Sequence, residues 1–176
     1  MLSLRKRRVG LKDEYLRVMR VMSEVTRRMD LSEFARMVEL NADEVLQCMQ
    51  DLEKTGHLKK SGGGYGVTAK GKAVLKTQTP VPAGWEFKFY TAVGQPTGAS
   101  ARSLKEFYET VKLIDSASLE FHLFRGDFTN WAESALKDEL FAGDLEDAVR
   151  SGLKGESLRE IIACAIEARY GVAALQ

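Results

Sequence analysis

Histidine, cysteine and proline are scarce in this 176-residue chain, at two, two and three copies. A metal centre built on imidazole or thiolate needs several such ligands at close spacing. His57 and His122 stand far apart, and Cys48 and Cys164 form no C-x-x-C pair. No metal site and no cofactor is expected. Two isolated cysteines read as reduced thiols of an intracellular, cytoplasmic protein rather than as a disulfide. No apolar run approaches the roughly 18 residues that span a membrane. The basic start "MLSLRKRRVGLKDEY" has no apolar stretch behind it, so it does not read as a signal peptide. No Ser/His/Asp or Cys/His set and no distinctive carboxylate pair can be assembled, so the chain is not read as an enzyme. Internal repeats and low-complexity tracts are also missing.

What is present is an ordinary globular composition, 44% hydrophobic and 29% charged, enough for one large domain or two small ones. The near-neutral total hides an asymmetry. Residues 1–77 hold 16 Lys and Arg against 10 Asp and Glu, whereas residues 78–176 hold 10 against 15. Two modules with different partners explain this, the basic one facing a polyanion. Packing of the two halves on each other or on a second subunit explains it equally. Pro80 and Pro82 stiffen "KTQTPVPAG" and push Thr79 and Val81 toward extended backbone. The boundary is therefore placed here, giving a first module over 1–77, a linker over 78–84 and a second module over 85–176.

In the first module, Leu11, Tyr15, Met19, Met22, Val25 and Met29 recur at helical spacing and predict a helix over about 11–28. A short helix capped by Ser32 follows, ending near Leu40. Asn41 with Glu44 forms a capping box for the next helix, whose buried stripe is Val45, Met49 and Leu52 and whose stop is Gly56. "HLKK" and "YGVT" read as strands joined by the turn "SGGG". Thr68 caps a closing helix. Within that stretch, Gly66 to Lys72 fits the phosphate-loop pattern G-x-x-x-x-G-K, but the next position is Ala73, with no hydroxyl for Mg²⁺. A nucleotide site is therefore not expected.

"LEKTGHLKK…YGVTAKGKAVL" resembles the end of a winged helix-turn-helix regulator, in which the recognition helix ends L-E-x-x-G and the wing closes with T-x-K-G-K-x-x-L. The resemblance covers about residues 11–76. It implies a mainly α fold with a small β wing, and binding of double-stranded DNA by a transcriptional regulator or chromatin-associated factor. In such proteins the second helix of the motif enters the major groove. Its outward face here carries Gln47, Gln50 and Lys54 beside Asn41, Asp43, Glu44 and Asp51. Gln47 and Gln50 suit adenine edges, but the carboxylates oppose a phosphate surface. Positive charge gathers instead in an N-terminal arm, Arg5, Lys6, Arg7 and Arg8, and around the wing at Lys59, Lys60, Lys70 and Lys72. Tyr65 is expected at the wing tip, against a sugar or base. An arm and a wing grip phosphates without reading sequence.

The second module is expected to be small and mostly helical. "WEFKFYTAV" reads as a strand, "GQPTGAS" as a loop, and the remainder as helices, the last of them central. "FHLFRGDFTNW" stands out because His122, Arg125, Asp127 and Trp131 share it with three phenylalanines. It is either a helix corner fixed by Arg125 and Asp127, with His122 a satisfied core residue, or a groove for a ligand or partner. "EFKFYTAVGQPTGASARSL" with "SLEFHLFRGDFTNW" is similar to a small, mostly archaeal helical domain of unknown function, over roughly 85–170. Two functions stay open. One is a DNA-binding regulator, a homodimer by its long first helix. The other is a protein-interaction adaptor that uses the acidic helix over 41–55 and the acidic second module.

Overall fold

A computed structural model of the chain describes residues 13–172. Helices dominate it, with two small antiparallel sheets of two strands each. The described residues divide into two compact units, one reaching Leu75 and the other running from Lys76 to Val172.

The first unit opens with α1 (Asp13–Glu24), whose Asp13 and Glu14 suit the positive end of the helix. Val18 and Met19 are fully buried on its inner face. The helix stops at Glu24, short of the expected 28. Asp30 then caps α2 (Leu31–Val38), its Oδ1 accepting the Glu33 N–H at 2.8 Å. This aspartate takes the role assigned to Ser32, because it lies earlier and satisfies the first free N–H groups. α3 (Ala42–Lys54) has the expected capping box: Asn41 and Glu44 each accept the other's backbone N–H at 2.9 Å. Val45, Cys48 and Leu52 form its buried stripe.

β1 (Leu58–Ser61) and β2 (Gly64–Val67) pair with Ser61 opposite Gly64. The turn is therefore only Gly62-Gly63, at φ 56° and 83°, a left-handed pair that suits glycine. α4 (Ala69–Gln78) begins where Thr68 Oγ1 accepts the Gly71 N–H at 3.2 Å. A Cβ on Gly71 would sit 2.5 Å from the His57 carbonyl oxygen and 2.7 Å from Val67 Cγ1. The second glycine of the phosphate-loop pattern thus lets a helix lie against a hairpin.

The second unit includes the segment 78–84, expected as a linker. The Val81 N–H donates to the Arg102 carbonyl at 2.7 Å and the Trp85 N–H to the Pro82 carbonyl at 3.0 Å. β3 (Phe87–Ala92) pairs with β4 (Gln95–Ala101). "GQPTGAS" is thus largely strand, not loop. Pro96 and Gly98 disguised it, and the pairing absorbs them through register shifts around Tyr90, on a sheet of only two strands. Five helices follow: α5 (Leu104–Leu113), α6 (Ser116–Phe124), α7 (Asp127–Ser134), α8 (Glu139–Ser151) and α9 (Gly155–Tyr170). Their core is aromatic. Phe107 stacks on Trp131 at 5.1 Å between centroids and meets Phe128 edge-on at 5.0 Å, while Ile162 and Ile166 bring α9 into the centre. α8 starts at Glu139 because the Asp138 carboxylate accepts the Phe141 N–H at 3.0 Å.

Candidate functional site

The residues assigned to DNA fall into three groups. Arg5, Lys6, Arg7 and Arg8 lie outside the described residues. A second group is tied into the first unit. Lys70 Nζ donates to the Thr55 carbonyl at 2.7 Å, where a cation complements the C-terminal end of α3. Lys60 stands 3.8 Å from Glu53 and 5.7 Å from the centre of the Tyr65 ring. Tyr65 is not at the hairpin tip but opposite Lys60 on β2, half-buried, with its hydroxyl 3.3 Å from Glu53. Gln47 donates to Asp51 at 3.0 Å, and Lys54 approaches the same carboxylate at 4.0 Å. Asp51 also accepts the Tyr15 hydroxyl at 2.8 Å, which pushes the phenol's pKa up to about 12. The third group, Lys59, Lys72 and Gln50, is exposed and has no ion pair or side-chain hydrogen bond among the described residues.

Three cations that sequence reasoning missed join that third group. Arg20, Arg28 and Arg36 are exposed, and among the described residues none has an acidic partner. Arg28 lines a cleft of about 560 Å³ with the tip glycines Gly62 and Gly63, floored by Met22, Met29 and Met49. The doublet Arg27-Arg28 was its only sequence signal, and Arg27 is spent on a two-pronged pair with Glu33. Four acids of this unit are consumed in the same way: Glu33 by Arg27, Glu39 by Arg17, Asp51 by Lys54, and Glu53 by Lys60 and Tyr65.

His57 is 1% exposed at the junction of α3 and β1. Its Nδ1 lies 2.7 Å from Thr55 Oγ1, whose own proton goes to the Asp51 and Leu52 carbonyls. Nδ1 therefore carries the ring proton and donates. Burial, helped by the charge of Lys70, lowers its pKa.

In the second unit His122, Arg125, Asp127 and Trp131 line one cleft of about 490 Å³. Each is already engaged. The Tyr90 N–H donates to His122 Nε2 at 2.8 Å, so the proton sits on Nδ1 and donates to Asp127 at 2.8 Å. Burial lowers the His122 pKa against the pull of Asp127, and the ring is neutral. Asp127 is the first residue of α7 and does not cap it. Gly126 holds the cap position instead, and the Asp127 carboxylate serves His122 and Arg125, the latter at 3.4 Å. Arg125 also lies over Phe121 at 4.6 Å. Trp131 is 7% exposed and donates to the Trp85 carbonyl at 2.7 Å. These contacts fix the corner between α6 and α7.

A buried carboxylate also anchors this unit. Asp138 accepts from Lys76 at 2.5 Å and from Tyr170 at 2.6 Å. Burial would raise its pKa, but these bonds outweigh that and hold it below the usual carboxylate value. Among the described residues no group of three or more His, Cys, Asp or Glu is placed to hold a metal ion, and no helix is long and apolar enough to cross a membrane. Comparison with protein-family models, with curated proteins and with solved structures gives no match to this chain.

Proposed function

We propose that the first unit is a winged helix-turn-helix module that binds double-stranded DNA by its backbone, in the service of transcription or chromatin organisation. The observation that carries this reading is a set of exposed cations. Arg20, Arg28, Arg36, Lys59 and Lys72 have no acidic partners among the described residues, while Glu33, Glu39, Asp51 and Glu53 are paired with other cations of the unit. The order of three helices, hairpin and closing helix, with a side-chain-free hairpin tip, supports the same reading. Phosphate contacts of this kind give affinity and little sequence information. Base reading by α3 is not part of it. Gln47 is held by Asp51, and Asp43 and Glu44 face outward at the start of the helix.

The test is a set of variants on fluorescent duplexes of unrelated sequence. Lys59→Ala with Lys72→Ala, and separately Arg5→Ala with Arg7→Ala, weaken binding to every duplex alike. Each lost phosphate contact lowers the salt slope by about one. Gln47→Ala and Gln50→Ala leave binding unchanged. Loss of binding on one sequence only, caused by either glutamine, would place the contact on α3 and overturn this account.

A further inference from the structure

Among the described residues of the first unit, two large apolar side chains are exposed: Met37 at 51% and Leu46 at 43%. They flank one turn. Met37 lies in the last turn of α2, and Leu46 in the second turn of α3, outside the buried stripe of Val45, Cys48 and Leu52. Beside Met37 stands the exposed cation Arg36, but beside Leu46 the charge is negative. Asp43 is exposed and has no cationic partner among the described residues. Glu44 holds only the Asn41 N–H, and Glu39, 81% exposed at its side chain, shares Arg17. Gln50 adds an exposed amide on the same helix.

This combination does not suit a phosphate backbone, which Asp43 and Glu44 repel. It does suit a protein. Methionine adapts to a partner's shape, and an apolar centre with a charged rim is how protein interfaces are built. We propose that the α2–α3 turn is a docking surface for a partner protein segment that presents Lys or Arg beside an apolar side chain. The apolar group covers Met37 and Leu46, and the cation meets Asp43 and Glu44. Met37 adjoins Arg36, one of the cations assigned to phosphate, but Leu46, Asp43 and Glu44 are not among those residues, and the proposal does not rest on the DNA reading.

The test uses the full chain labelled with ¹⁵N and a synthetic amphipathic peptide of lysine and leucine. The expected result is a saturable shift of the Met37, Asp43 and Leu46 amides. A lysine-only peptide of equal charge shifts them less. Asp43→Lys with Leu46→Glu weakens the peptide about tenfold, the size expected when a central contact is lost. The milder pair Asp43→Asn with Leu46→Gln, which keeps the capping box intact, weakens it in the same direction. Shifts confined to the acidic second unit, or equal response to the lysine-only peptide, would overturn the proposal. So would a blunt DNA duplex that moves the same three amides as strongly, since the surface would then belong to nucleic acid.

Discussion

In the second unit His122 gives both ring nitrogens to partners, Tyr90 and Asp127. In the first unit His57 gives one, to Thr55, and its Nε2 has no partner among the described residues. The second unit also ties buried or part-buried acids across long stretches of chain: Asp138 gathers Lys76 and Tyr170, Asp144 pairs with Arg169, and Glu167 accepts the Tyr108 hydroxyl at 2.5 Å. The ion pairs of the first unit lie nearer its surface, at Glu33, Glu39 and Glu53, and Arg20, Arg28, Arg36, Lys59 and Lys72 stay exposed without acidic partners among the described residues. A polar network whose members are satisfied stiffens the core around it, whereas exposed, unpaired cations are what a polyanion can use.

The comparison breaks most visibly in the aromatic core. Phe107 is fully buried against Trp131 and Phe128, so Phe107→Ala costs the second unit about 3–5 kcal/mol. Both tryptophans, Trp85 and Trp131, lie in that unit, and their fluorescence during urea unfolding reports it directly. DNA binding by the first unit should survive in conditions where the variant's second unit is still folded.

Gly71→Ala acts on the other side. Its Cβ meets backbone at the His57 carbonyl, not the end of a flexible side chain, so α4 must move away from the hairpin. The expected cost is about 1–3 kcal/mol, confined to the first unit and read from amide exchange in α3 and β1. An equal shift of the tryptophan transition would mean that the two units do not differ in the way described.

The smallest effect is in pH. The folded ring of His122 resists protonation, while the unfolded ring accepts it below its ordinary value of 6.5. Above that value the residue adds no pH dependence. As pH falls below it, the unfolded state binds the extra proton and the second unit loses stability, by at most about 1.4 kcal/mol per pH unit. His122→Gln should remove that slope between about pH 7 and about pH 5.5, measured by tryptophan fluorescence in urea. An unchanged slope would show that the ring is not the group responsible.

Much of the architecture was legible because it rests on local rules. The Asn41–Glu44 box, the hairpin turn at Gly62-Gly63 and the cap at Thr68 each follow from neighbours in sequence. The misses have a common cause. β4 looked like a loop because Pro96 and Gly98 obscure alternation, and only its partner β3 makes it a strand. Asp127 was legible as part of a corner but not as the partner of His122, and Asp138 became visible as a cap only with Lys76 and Tyr170 around it. For the candidate interface, the sequence supplied the basic character of the first half but not which cations stay free. Lys60 and Lys70 were lost to Glu53 and to the Thr55 carbonyl, and Arg28 and Arg36 emerged because nothing opposes them.

The central claim is that the first unit holds DNA through its backbone without reading bases from α3. Titrating the full chain with two fluorescent duplexes of unrelated sequence, at low and at physiological salt, tests it most directly. The account predicts similar affinity for both duplexes and a steep fall with salt, on the order of tenfold or more. Absence of binding to either duplex at low salt, or strong binding to one with little salt dependence, would contradict it.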